Sequence, residues 1–208
     1  MKVIEQNGEH WLDEAERVPY PADREMPVRR FLVIHFTSGA SARSSIDFWK
    51  SGEAKGAEAH IIIDRDGTVL QIRPTNQRAD HAGKSKWADP KTGKVYENLN
   101  SCSIGIELAN AGDGANEDGT AFSSRKFRCP AGVKRARHKH GGPNTFWEIY
   151  PEAQIAACCE VAAALVSRYK LDDVIGHEDI APLRKNDPGP LCPMDRIRKA
   201  CGFGPMKS

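Results

Sequence analysis

The sequence predicts an α/β fold, a single domain with a mixed central β-sheet flanked by helices. Three observations predict it. Short apolar runs rich in branched residues alternate with segments of helical periodicity. An Asp-Gly pair joins two of those runs as a tight hairpin, so the sheet cannot be wholly parallel. The 208 residues are enough for one sizeable core, and no internal repeat or low-complexity linker divides them.

Taken in order, residues 1–27 are polar and end in "PYPADREMP", an extended lead-in packed on the domain that follows. "RRFLVIHF" (29–36) reads as a buried strand. "SARSSIDFWKSG" places Ile46, Trp49 and Lys50 at helical spacing, with Gly52 as the stop. "AHIIIDRDGTVLQIRP" is two strand-like runs joined at Asp66-Gly67, and "SIGIELAN" (103–110) is a further buried strand. After a long irregular segment, residues 151–170 set Ile155, Cys158, Ala162, Leu165, Val166 and Tyr169 on one helical face, with Pro151 suited to the first turn. "DDVIGHEDI" is a short strand running out into "HEDIAPLRKNDPGP" (177–190).

Composition excludes several classes. A hydrophobic content of 39% with 28% charged residues is that of an ordinary soluble globular protein, and a net charge of +2 gives no global polyelectrolyte character. Without an apolar run at the amino terminus, the chain is expected to be cytoplasmic as synthesised. No stretch of about 18 apolar residues is present, so no membrane span is expected. The six cysteines show no CxxC pair and are expected to be thiols.

Three separated segments offer metal ligands: His35 after "FLVI", His177 after "DVIG" and Asp187 in "RKNDPGP". Two imidazoles and one carboxylate leave an open fourth position on zinc, as a catalytic site requires. Taken singly, each histidine is more often structural than a ligand, and the helical HExxH pattern is absent because Ala181 stands four residues after His177. Glu107 in "SIGIELAN" is the acid–base candidate, a carboxylate among apolar strand neighbours where an unpaired charge is costly. Its bland reading is an outward-facing residue on a half-buried strand. Lys185, two residues before Asp187, is either an oxyanion stabiliser or a solvated lysine.

The segments "VIHFTSG", "AHIIIDRDGTVLQIRP", "ADHAGKSKW", "NLNSCSIGIELANAG" and "GHEDIAPLRKNDPGP" occur in an order that resembles the zinc-dependent N-acetylmuramoyl-L-alanine amidases. That group includes phage lysozyme-like amidases, cytoplasmic anhydro-muropeptide amidases and peptidoglycan-recognition proteins. The resemblance runs from about residue 29 to residue 198. It implies the amidase/peptidoglycan-recognition fold, with Zn2+ held by His35, His177 and Asp187. Glu107 matches the base and Lys185 the lysine that assists the carbonyl, while His60 and His81 match positions lining the substrate groove. The implied reaction is hydrolysis of the amide between N-acetylmuramic acid and L-alanine of peptidoglycan or its muropeptide fragments, by a zinc-activated water. The sequence departs from the family pattern at Leu183 and Cys192, which bears on local loop shape.

Residues 125–140 carry seven Lys/Arg and no acid, in a basic insertion at about 113–148 of a catalytic domain spanning 28–208. Three readings apply: a nucleic-acid or anionic-surface patch, to which the net charge of +2 gives little support, a zinc knuckle from Cys129, His138 and His140 that lacks a fourth ligand, and an exposed insertion beside the groove. Against catalysis stands a recognition module that holds muropeptide without cutting it. All three ligand positions and both helper residues are filled, which favours the enzyme. Nucleic acid is not an expected partner, and a monomer is. An endolysin would reach the periplasm through a membrane lesion, whereas a recycling enzyme would meet soluble fragments.

Overall fold

Six strands build the central sheet: β1 (Glu16–Arg17), β2 (Phe31–Phe36), β3 (Ile61–Ile63), β4 (Val69–Gln71), β5 (Ser103–Leu108) and β6 (Asp173–Gly176). They lie in the order β6-β2-β5-β3-β4-β1. Neighbours run parallel except for the β3–β4 hairpin, whose turn is made by Asp64 to Thr68 with Gly67 at φ +91°. The computed structural model describes residues 1–20, 24–54, 57–121 and 127–206.

Strand alternation divides the sheet into two faces of different use. Leu32 and Ile34 of β2 and Ile104, Ile106 and Leu108 of β5 point into the main core. Helices α2 (Glu152–Tyr169) and α4 (Met194–Ala200) cover that face with Ile155, Cys158, Val161, Leu165 and Ile197. Full burial of each such side chain is worth about 1.5–3 kcal/mol, so this layer supplies most of the stability. The opposite face is covered in two pieces. Helix α1 (Ala42–Lys50) lays Ile46 and Trp49 on Ile62, Leu70 and Ile72 at one end of the sheet. Ala82, Leu99 and Ile180 cover Phe31, Val33 and Ile175 at the other. Between these pieces the same face presents His35, Glu107 and Gly105, the remaining members of the alternation.

The ends of α1 follow local chemistry. Ser41 caps it through a reciprocal capping box with Ser44, and Gly52 at φ +78° follows its last turn. A short helix α3 (His177–Ile180) begins directly after β6, where the sequence reading had the strand run out into a loop.

Two regions are more ordered than their sequences imply. Residues 1–27 are not merely a lead-in: Val3–Gln6 and Glu9–Leu12 form a hairpin, β1 adds an edge strand, and Leu12 and Met26 are fully buried in the main core. Residues 21–23 lie outside the described residues. The segment read as irregular before α2 contains a hairpin of its own, Val133–Arg137 with Asn144–Glu148. Its outer residues Lys134, Arg135 and Arg137 are exposed, which hides the apolar alternation by which strands are recognised. Residues 122–126, which include the first two of the basic run 125–140, lie outside the described residues. All six cysteines are free thiols; burial pushes those of Cys158 and Cys192 well up.

The hairpin is fastened at its base by Glu148, which is 1% exposed. Its carboxylate accepts from Arg65 Nε (2.6 Å) and Nη2 (2.8 Å) and from the Ala111 amide (2.6 Å). Removing one partner of such a pair strands the other charge in a poor dielectric. Glu148→Ala should therefore lower unfolding stability by about 3–5 kcal/mol, read from the urea midpoint; a loss below about 1 kcal/mol, the size of an exposed pair, would contradict this assignment.

Candidate metal centre

The site is built at the carboxyl ends of three adjacent parallel strands, where open α/β sheets collect ligands. His35 and Glu107 are register partners across β2 and β5. Gly176 is the partner of Ile34, so His177 leaves β6 beside His35. Asp187 returns to the same point because its carbonyl accepts the Glu178 amide at 2.7 Å.

The three side chains converge. His35 Nδ1 lies 2.9 Å from His177 Nδ1, and each lies 3.0 Å from Asp187 Oδ2. All three residues are buried. The far sides of the rings decide what these contacts are. His177 Nε2 faces the Ala82 carbonyl at 3.2 Å, which can only accept; Arg184 Nη2 stands farther off at 3.5 Å and donates to that same carbonyl at 2.9 Å, so Nε2 carries the hydrogen. His81 Nε2 faces the Ser103 carbonyl at 3.2 Å and is likewise the donor. His81 is neutral, its pKa held well down by burial and by neighbouring histidines, so its Nδ1 is an acceptor. His35 Nε2, 2.9 Å away, must donate to it. Both Nδ1 atoms are thereby left as lone pairs aimed at a carboxylate oxygen. Three acceptors this close require a proton or a cation among them. His35 resists the proton: burial, then the neighbouring His177, lowers its pKa to about 4. Two nitrogens and one oxygen, with second-layer acceptors fixing both rings, form a donor set that fits zinc. Among the described residues this is the one group of three His, Cys, Asp or Glu side chains arranged to hold a metal ion.

Glycine makes this support possible. A Cβ on Gly105 would stand 2.6 Å from His81 Cγ, so the His81 ring lies where a strand residue normally has its side chain. A Cβ on Gly176 would stand 2.8 Å from Pro188 Cδ, blocking the return of the Asp187 segment.

Glu107 keeps partial exposure, yet its Oε2 is buried and has no hydrogen-bond partner among the described residues. Burial, with the Asp187 charge acting the same way, pushes its carboxyl well above the usual range; Lys185 pulls it back. Lys185 also acts on His35, so its charge is felt at both groups. It stands on the wall of a cleft of about 460 Å³ between residues 182–186 and the turn 138–147.

The two remaining expected site residues lie elsewhere. His60 does not line a groove: it is 0% exposed, with Nε2 against the Gln77 carbonyl (2.8 Å) and Nδ1 accepting the Gly105 amide (3.0 Å). Burial lowers its pKa to about 3, so it is a neutral connector of backbone. His81 stands behind His35 rather than at the cleft. Cys129 is buried near Glu148, away from the Glu178 side chain that His138 contacts, so the three proposed knuckle residues do not assemble. Leu183 projects fully into solvent at the cleft mouth, and Cys192 is buried in the main core.

A mixed sheet that brings two imidazoles from its strand ends together with a loop carboxylate, beside a partnerless Glu107 oxygen, has the donor set of a metal-binding protein. The chain belongs to the N-acetylmuramoyl-L-alanine amidase family, whose sequence profile it matches over residues 24–190. It is 34% identical to N-acetylmuramoyl-L-alanine amidase AmiD of Escherichia coli K12, over 94% of this chain and 59% of that protein. The chain thus spans about three-fifths of the length of that relative. It is 31% identical to the 1,6-anhydro-N-acetylmuramyl-L-alanine amidase AmpD of Citrobacter freundii, over 91% of each. Among solved structures, E. coli AmiD in complex with anhydro-N-acetylmuramic acid-L-Ala-D-gamma-Glu-L-Lys superposes with a TM-score of 0.58 at 28% identity, covering 98% of this chain and 66% of that one.

Two outcomes test the geometry. Gly105→Ala should displace His81, remove the acceptor behind His35 and weaken zinc binding by about 10–100-fold, measured by competition with a chelating dye; unchanged affinity would deny His81 that role. The raised pKa of Glu107 means that the folded protein resists ionisation there. Its stability is unaffected at low pH and falls as pH climbs past the ordinary carboxylate value of about 4.3. With a chelator present, Glu107→Gln should be more stable than the parent at about pH 7–8 and equal to it near pH 4. A difference that does not vary with pH would show that Glu107 is not perturbed.

Proposed function

We propose that this protein hydrolyses the amide bond between N-acetylmuramic acid and L-alanine of peptidoglycan or its muropeptide fragments, with zinc held by His35, His177 and Asp187. The observation that carries the reading is the convergence of His35, His177 and Asp187 beside Glu107, whose buried Oε2 has no partner among the described residues. Bound zinc would supply a water of lowered pKa and polarise the scissile carbonyl. Glu107, as the carboxylate, takes the proton from the attacking water, since burial makes it a stronger base than an ordinary carboxylate. It then returns that proton to the departing L-alanine amine. Lys185, on the cleft wall and electrostatically coupled to Glu107, stabilises the negative charge developing on the carbonyl oxygen. His81 holds His35 in the tautomer that leaves Nδ1 free. Of these groups Lys185 lines the cleft between residues 182–186 and the turn 138–147, which we assign as the substrate approach.

The reading also draws on the relatives, whose names and complexes specify anhydro-muropeptides. Among the described residues no helix is long and apolar enough to cross a membrane. Hydrolysis is favoured over non-catalytic recognition because Glu107 is the register partner of His35 and the Lys185 charge acts on both.

Purified protein given sacculi and, separately, anhydro-muropeptide should release stem peptides with a free L-alanine amine. A chelator should abolish the release and zinc restore it. Lys185→Ala should lower kcat about 10²–10³-fold, and Glu107→Gln about 10²–10⁴-fold. Absence of cleavage of both substrates by folded, zinc-loaded protein would overturn the reading.

A further inference from the structure

The basic hairpin poses a question that the proposed reaction does not answer. Its tip, His138-Lys139-His140, keeps some exposure yet closes on α3, the helix that starts with His177. Glu178, the next residue, is 3% exposed, an unusual place for a carboxylate without partners. Its Oε2 accepts from His138 Nε2 at 2.6 Å and from the Gly189 amide at 3.1 Å. Its Oε1 lies 2.7 Å from Lys139 Nζ. Its carbonyl accepts from His140 Nε2 at 3.0 Å, and its amide donates to the Asp187 carbonyl at 2.7 Å. Lys139 also reaches Asp179 Oδ1 at 2.5 Å, and Asp179 Oδ2 accepts the Gly176 amide at 2.8 Å.

Each of these bonds touches a residue next to a ligand or within two positions of one. Gly176 and Glu178 flank His177, and Glu178 grips residues 187 and 189. One buried carboxylate therefore ties both ligand-bearing segments, and the hairpin supplies the donors that make its burial affordable. The hairpin cannot swing freely, because His138 stacks on Trp147 with centroids 6.1 Å apart and Trp147 lies against Gly189. Three elements thus lock one another: the tip, α3 and the Asp187 loop.

We propose that His138, Lys139 and His140 are positioning residues, which set the mutual geometry of His177 and Asp187 through Glu178. This deepens the amidase reading and rests on it only for the identity of the metal. The solvent-facing residues of the same strand, Arg137 among them, make none of these bonds and provide the control.

The test compares parent, Lys139→Ala, the double variant His138→Ala/Lys139→Ala and Arg137→Ala. Zinc affinity by dye competition should fall about 10–100-fold in the double variant, the usual cost of losing outer-layer partners. The visible spectrum of the cobalt-substituted protein should change with it. Lys139→Ala, at a site already 44% exposed in its side chain, should show the same effects more weakly and serves if the double variant does not fold. Lys139→Arg and His138→Gln, which keep a donor, should recover affinity. Amide hydrogen exchange over residues 177–189 should speed up in the deletion variants and stay unchanged in Arg137→Ala, and this readout needs no metal. Affinity, cobalt spectrum and exchange all matching the parent would overturn the proposal, as would equal effects from Arg137→Ala. A parent that binds no zinc would instead fail the proposed function, with the exchange result still deciding this one.

Discussion

Two imidazole nitrogens and a carboxylate oxygen held about 3 Å apart with their lone pairs facing inward form an arrangement that repels itself until a positive charge joins it. Much of the surrounding structure serves to hold that arrangement. Parallel strands deliver His35 and His177 side by side, and the bond between Glu178 and Asp187 brings the carboxylate back to them. The Ala82 and Ser103 carbonyls, the latter through His81, fix which nitrogen of each ring carries hydrogen. Gly105 and Gly176 leave the space these approaches need.

The sheet separates stability from chemistry by parity. One face is closed by α2 and α4 over branched aliphatic side chains, and this burial holds the strands firm. The other face has a gap between two smaller clusters, and buried polar groups occupy it. A buried polar atom without a partner costs about 1–3 kcal/mol, so His35, His60 and His81 are bonded into one another or into backbone. Among the described residues Glu107 Oε2 has no such partner, and the proposed reaction assigns the proton transfer to this carboxylate.

The central sheet and the hairpin of Val133–Arg137 and Asn144–Glu148 meet at α3. Strand ends and the loop after α3 supply His35, Glu107, His177, Lys185 and Asp187. The hairpin, anchored at its base by Arg65 and Glu148, reaches the ligand segments from outside the sheet. Its charge is used unevenly: Lys139 is spent on a buried carboxylate, while Lys134, Arg135 and Arg137 face water.

Five ordered motifs made the family, the sheet and the candidate ligands legible in the sequence, because strand alternation and ligand chemistry are local properties. "FLVIHF" and "SIGIEL" each state which residues share a face. Other features depend on pairs far apart in the chain. Nothing near His60 says that both its nitrogens are taken by backbone of residues 77 and 105. The close approach of His81 had one local sign, the glycine within the strand at 105. The basic run 125–140 reads as solvated because charge usually is, and only the packed chain brings residues 138–140 onto a buried glutamate 40 residues away. The sequence by itself determined which groups were available for chemistry. Tertiary structure decided which nitrogen faces inward, which carboxylate stays unpaired and which cations are bound, since those follow from distances set by the whole sheet.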